Sequence, residues 1–164
     1  MSLYVATPEY FNFLELSAKF YLFIIYSDMD YLVSTASLLI LDSMYISVTK
    51  PYFESLVKGV QKLSVKPRFF SIIGLYVLLL FGLYTLVISK RRPPKEAFLL
   101  GVVIYGIFEL TNYSLFDKWS LFPVLFDTLW GGILLYLVTR VTYFLVPAKE
   151  QQLPTNKDAQ SRAR

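Results

Sequence analysis

Asp42, Glu109 and Asp127 each stand inside a long apolar stretch of this chain. A charged, unpaired carboxylate at the centre of a membrane helix costs about 2.5–3.5 kcal/mol on insertion scales. Acids in such places serve one of two ends. They exchange a proton, hold an ion or line a pocket for a small ligand, or they hydrogen-bond neighbouring helices and fix their packing. Other chemistry is short of parts. The sequence has no His and no Cys, so it lacks the commonest general base, any thiolate nucleophile and the commonest metal ligands. It has no Gly-rich phosphate loop, no Ser-His-Asp set and no spacing suited to a metal. No catalytic residue, metal or cofactor is expected, and the chain does not read as an enzyme.

The neighbours of these acids are themselves polar or small. Tyr105, Glu109 and Asn112 recur at i, i+4 and i+7, one face of a helix. Asp127, Trp130 and Gly131 share a face in the same way, and the Gly131-Gly132 pair lets another helix approach closely. If these faces turn toward each other, Asn112 and Tyr105 can donate to either carboxylate. Like charges drawn that close cannot all ionise.

These residues need elements to position them, and the hydropathy pattern supplies four. Of the 164 residues, 55% are hydrophobic and 17% charged, where a soluble domain carries roughly a quarter charged. Phe69–Ser89 holds no charge and, as a helix, is about 31 Å long, enough to cross a bilayer. Lys66 and Arg68 precede it; Lys90, Arg91, Arg92 and the Pro93-Pro94 pair end it. The other spans are read at 31–49, 97–116 and 120–146. Asp117, Lys118 and Trp119 form a tight turn between the last two, which makes them a hairpin, with Trp119 suited to the lipid–water boundary. The first span is rich in Ser, Thr and Ala, the composition of a helix enclosed by its neighbours. The fold expected is all-α: an antiparallel bundle of four transmembrane helices, over residues 31–146.

Residues 1–30 read as an interfacial, amphipathic helix, since the apolar stretch Phe20–Tyr26 is too short to span. Glu9, Glu15 and the lack of an early base argue against a signal peptide. The alternative is a longer, tilted first span that begins near Phe20 and carries Asp28 and Asp30. Residues 147–164 form a polar, Pro-interrupted tail.

With four spans both termini share one side, here side A. Asp42, Glu109 and Asp127 each lie seven residues from the expected side-B end of their spans, a common layer about 10 Å below that face. Nine Lys or Arg fall on side A and six on side B, which places the termini in the cytoplasm. Lys50, Lys58, Lys62, Lys66 and Arg68 in the loop 50–68, together with Lys90, Arg91 and Arg92, are expected at lipid headgroups or at a neighbouring protein. Arg140, inside the last span and about 20 Å along the helix from Asp127, is expected to snorkel. The partners implied are the bilayer and proteins docked on the basic loop and tail; nucleic acid is not among them. Asn112-Tyr113-Ser114 matches a glycosylation sequon but falls at the bilayer edge.

The run Tyr105-x-x-x-Glu109-Leu110-Thr111-Asn112, then Trp119, then Asp127-x-x-Trp130-Gly131, resembles the signature of a predicted membrane-protein family known as domain of unknown function 2177. The likeness covers about Leu38 to Leu145, including the Leu41-Asp42 step and Pro51-Tyr52. The family usually has Asp where this chain has Glu109. The resemblance implies four spans and no catalytic residue. Its members occur in bacteria and in large icosahedral DNA viruses, and the Lys/Tyr/Phe-rich flavour and N-terminal extension resemble the viral ones. A viral member implies a component of a virion's internal membrane that meets capsid proteins. The leading expectation is therefore a structural or scaffolding membrane protein. The alternative is a small ion- or proton-coupled transporter or channel built on the acid layer.

Overall fold

The computed structural model describes the backbone of residues 8–62 and 68–147, and side chains from residue 28 onward within those ranges. All of its regular elements are helical: α1 (Pro8–Gln61), α2 (Phe69–Leu83) running into a π-helical turn (Tyr84–Ile88), α3 (Pro94–Leu115) and α4 (Leu121–Leu145). Four helical stretches are long and apolar enough to cross a membrane: Asp28–Gln61, Phe69–Ile88, Pro94–Leu115 and Leu121–Leu145.

The boundaries follow local chemistry. Arg68 is extended and leads into α2. At the far end of that span the carbonyls of Tyr84 and Val87 accept from the N–H groups of Ser89 and Arg92, five residues on, which is the π-helical pattern. Arg91 then takes a left-handed φ of 49°. Pro93 is extended and Pro94 opens α3, where its missing N–H would have no helical partner anyway. Phe116 ends α3 in an extended conformation, and the Trp119 N–H bonds back to the Phe116 carbonyl at 2.9 Å to close the turn. Pro123 sits in the first turn of α4, where a proline is tolerated.

The sequence boundaries near residues 30 and 49 are not breaks in the structure. α1 is one helix of 54 residues, without interruption between the N-terminal segment and the first span, and it passes through Pro51. Pro51 removes one backbone hydrogen bond. The helix beyond it is held to α4 instead: the Tyr52 and Ser120 hydroxyls hydrogen-bond at 2.7 Å, and the Tyr52 ring packs edge-on against Phe122. Residues 50–61 are thus helix rather than loop. The interfacial reading of residues 1–30 concerns side chains that largely lie outside the described residues, as do Lys66 and residues 148–164.

α4 is the most enclosed helix, not α1. It buries Pro123, Val124, Asp127, Gly131, Gly132, Leu134, Leu135, Val138, Thr139 and Thr142. α1 buries one stripe, Asp30, Ser34, Leu38 and Asp42, while its Ala36, Ser43 and Ser47 are exposed. The reason is steric. Gly101 of α3 lies against the Gly131 backbone, leaving no room for a Cβ, and a Cβ on Gly132 would come within 2.8 Å of Phe98 and Val102. Two helices that approach this closely enclose one another. Leu38, Leu79, Leu83, Val87, Ile88, Ala97, Leu134, Leu135 and Val138 form the apolar core between the elements.

Candidate functional site: an acid network spanning four helices

α1 and α4 run antiparallel in a fixed register. Tyr52 meets Ser120, Tyr45 meets Asp127, and Asp42 meets Trp130. A step of seven along α1 is matched by seven along α4, then three by three. This register brings the acids together.

Asp42 accepts from the Tyr76 hydroxyl of α2 at 2.6 Å and from Trp130 Nε1–H of α4 at 3.2 Å. Asp127 accepts from the Tyr45 hydroxyl at 2.8 Å. The Tyr45 ring lies flat on Trp130, with centroids 4.4 Å apart and planes 8° from parallel, which links the two sites. Glu109 accepts from Trp119 Nε1–H at 2.8 Å, and its carboxyl group also faces that of Asp127. All three acids are buried, Glu109 completely. The result is a chain of hydrogen bonds and one ring stack through every helix: Tyr76, Asp42, Trp130, Tyr45, Asp127, Glu109, Trp119. Both tryptophans of the sequence donate to intramembrane acids.

Among the described residues the positively charged side chains are elsewhere. Arg91 reaches under the other end of the bundle. Its guanidinium holds both oxygens of Asp30, at 2.9 and 3.0 Å, donates to the Val146 carbonyl at 2.6 Å and sits 5.0 Å over the Tyr143 ring. The Tyr143 hydroxyl donates to the Arg92 carbonyl at 2.9 Å. Arg91 was expected at headgroups; the π-helical turn and its left-handed φ instead carry it inward, where Asp30 offers an opposite charge. Lys50, Lys58, Lys62, Arg68, Lys90, Arg92 and Arg140 are exposed, as a headgroup or partner contact requires. Lys50 and Arg92 also pair with Glu54 and Glu96 one turn on, the solvated kind of ion pair that contributes little.

The predicted cluster differs from the observed one in three ways. Asp42 lies about one turn deeper than Asp127 and Glu109, because the side-B level of α1 is set by Tyr52 rather than Thr49. Tyr105 packs its ring on Gly131; the donors to the acids are Tyr45, Tyr76, Trp119 and Trp130. Asn112 Nδ2 and Thr128 Oγ1 are buried with no hydrogen-bond partner, and Glu109 Oε1 has no donor beside it other than the carboxyl group of Asp127. Tyr45 was findable, three residues after Asp42 on the same helical face. Trp119 was not, since an indole beside a turn reads equally well as an interfacial anchor.

Among the described residues no three acidic side chains are grouped closely enough to hold a metal ion.

The sequence model of a family described as predicted membrane proteins (DUF2177) matches residues 28–144. The chain belongs to this family. The match starts beside Asp30 and ends beside Tyr143, so it takes in the whole acid network and the Asp30–Arg91 pair. No curated protein and no solved structure matches the chain. Family and fold together make this a multi-pass helical membrane protein.

Proposed function

We propose that this DUF2177 protein moves protons across the membrane, alone or coupled to a solute, with Glu109 and Asp127 as the pair that takes up and releases the proton. The observation that carries this reading is the Glu109 carboxyl. It is fully buried and lies in hydrogen-bonding contact with a second carboxyl, that of Asp127, an arrangement that needs a proton between the two. If the polar groups served only to join helices, Asn or Gln could make the same bonds without the cost of a charge in hydrocarbon. What a carboxyl adds is a proton that can leave. The donors around the acids are phenols and indoles, which hydrogen-bond a carboxylate without neutralising it. No covalent chemistry is involved.

The test is proton flux in liposomes under a potassium diffusion potential, read by an enclosed pH dye. Flux above that of empty liposomes, lost in Glu109→Gln and Asp127→Asn, is expected. Wild-type protein no faster than empty liposomes overturns the reading.

A second reading is a scaffold that docks neighbouring proteins. α1 continues from Tyr52 to Gln61, about 14 Å past the start of α4, and presents Lys58 and Lys62 to the surroundings. Such an extension suits an acidic partner or anionic headgroups. The virion setting and capsid partners rest on sequence flavour alone, and the cytoplasmic placement of side A on its excess of basic residues. Retention of a partner in native membranes, lost when Lys58 and Lys62 become Glu, tests the scaffold.

A further inference from the structure

We infer that, in the conformation described, the acid network exchanges protons with one face of the membrane only, the side-B face of the α3–α4 turn, by way of the polar groups of Asn112 and Glu109. The inference rests on the proton-handling reading above and adds the side from which the proton comes.

Three observations converge on it. Among the described residues two buried polar atoms have no hydrogen-bond partner beside them, Asn112 Nδ2 and Thr128 Oγ1, and both lie in the side-B half of the α3–α4 hairpin, next to the Glu109–Asp127 pair. A buried polar atom without a protein partner is ordinarily satisfied by water, and Asn112 stands about one turn nearer the side-B surface than Glu109. Second, among the described residues the side-A half offers no such step. Leu38, Leu83, Val87, Leu134, Leu135 and Val138 fill it with apolar volume. Its buried hydroxyls are occupied within their own helices: Ser34 donates to the Tyr31 carbonyl, Thr139 to Leu135 and Thr142 to Val138. Third, the side-A end is closed by Arg91, which ties Asp30 of α1 to the Val146 carbonyl at the end of α4.

The groups facing Glu109 are Asp127 of α4, Trp119 of the turn and Tyr45 of α1; Asp42, Tyr76 and Tyr105 surround the deeper part of the network. Among the described residues none of the groups in contact with it is a Lys or Arg. Arg91 faces Asp30 and Tyr143 at the opposite end.

The test uses two features of the chain. It has no Cys, so single cysteines can be placed without background, and it has two Trp, each bonded to an acid. Lys118→Cys on the exposed turn reports the orientation of full-length protein in liposomes through an impermeant maleimide. Asn112→Cys is expected to react with an impermeant methanethiosulfonate added on side B. Ser34→Cys and Thr139→Cys are expected to stay unreacted when it is added on side A. In Trp130→Phe, where Trp119 is the sole indole, emission is expected to change when the pH is stepped on side B and to hold steady on the same time scale when it is stepped on side A. Labelling of Ser34→Cys or Thr139→Cys from side A, or a Trp119 response as fast from side A, overturns the inference while leaving proton flux intact. An Asn112→Cys that stays unreacted on side B overturns it too. No Trp119 response from either side, together with no flux, overturns the proton reading itself.

Discussion

Asp30 and Asp42 lie at the two ends of the buried stripe of α1, twelve residues apart, and the bundle surrounds them differently. Asp30 meets a guanidinium that holds both of its oxygens. Asp42 meets a phenol and an indole. At the side-A end, charge is cancelled where it stands, and the atoms left over on Arg91 go to a backbone carbonyl and an aromatic face. At the side-B end, acids gather among neutral donors, and the most buried of them lies against another carboxyl. The first arrangement pairs opposite charges and fixes geometry. The second sets acids side by side with no basic partner among the described residues, and the proton-handling proposal rests on that difference.

Removing one member of the compensated pair should therefore produce the largest loss of stability. Arg91→Ala leaves Asp30 charged and unpaired, and breaking a buried ion pair in this way costs about 3–5 kcal/mol. The low end applies, since the Arg91 side chain is 28% exposed. The loss is read as a fall in the midpoint of thermal unfolding in detergent, followed by helical circular dichroism. The double variant Asp30→Asn with Arg91→Gln should recover most of it. If Arg91→Ala unfolds like wild type, side A is not a lock.

The hairpin that brings Glu109 to Asp127 comes next. Gly101→Ala forces a methyl group into the Gly131 backbone, and overpacking of this kind costs about 1–3 kcal/mol. It should also reduce proton flux, because the carboxyls separate when α3 and α4 do. Gly74, with open space around its Cα, is the control: Gly74→Ala should leave both stability and flux as they are.

Much of this was legible from residue spacing, for reasons that explain the exceptions. Four spans follow from hydropathy because hydrocarbon enforces a length and a composition. The Asp127–Trp130–Gly131 face followed from helical periodicity, and so did the presence of Glu109 in the same layer. The unbroken α1 did not, because Pro51 and the polar residues around it argue locally for an end, while the distant contacts of Tyr52 with Ser120 and Phe122 hold the helix on. Arg91 was illegible for a similar reason. A base beside Pro93-Pro94 looks like a loop charge until a π-helical turn, which periodicity does not announce, swings it under the bundle. The partners of the acids come from four elements, and pairing across elements depends on register, which is a property of packing.

Within the acid network, single donors should matter less than the pair at side A. Tyr76→Phe removes one hydrogen bond to a carboxylate, worth about 1.5 kcal/mol, and leaves Trp130 to hold Asp42. Its emission should then shift in the Trp119→Phe background, where Trp130 is the only indole. An unchanged spectrum would mean that Tyr76 and Trp130 do not share an acceptor.

The smallest change in stability should accompany the largest change in activity, and Asp127→Asn is where the two separate. The asparagine oxygen can still accept from the Tyr45 hydroxyl, now held to Asp127 at 2.8 Å, so the bond between α1 and α4 survives. The stacking of Tyr45 on Trp130 is untouched, and one acid fewer lies in the low-dielectric interior. Stability should stay within about 0.5 kcal/mol of wild type, with either sign, because a neutral hydrogen bond replaces a stronger one while a desolvated charge is removed. Flux should vanish, because an amide cannot release the proton that Glu109 must exchange. A variant that folds as well as wild type and moves no protons separates the two ends of the bundle by function; one that is strongly destabilised, with wild-type flux in the fraction that folds, would make Asp127 a joint like Asp30.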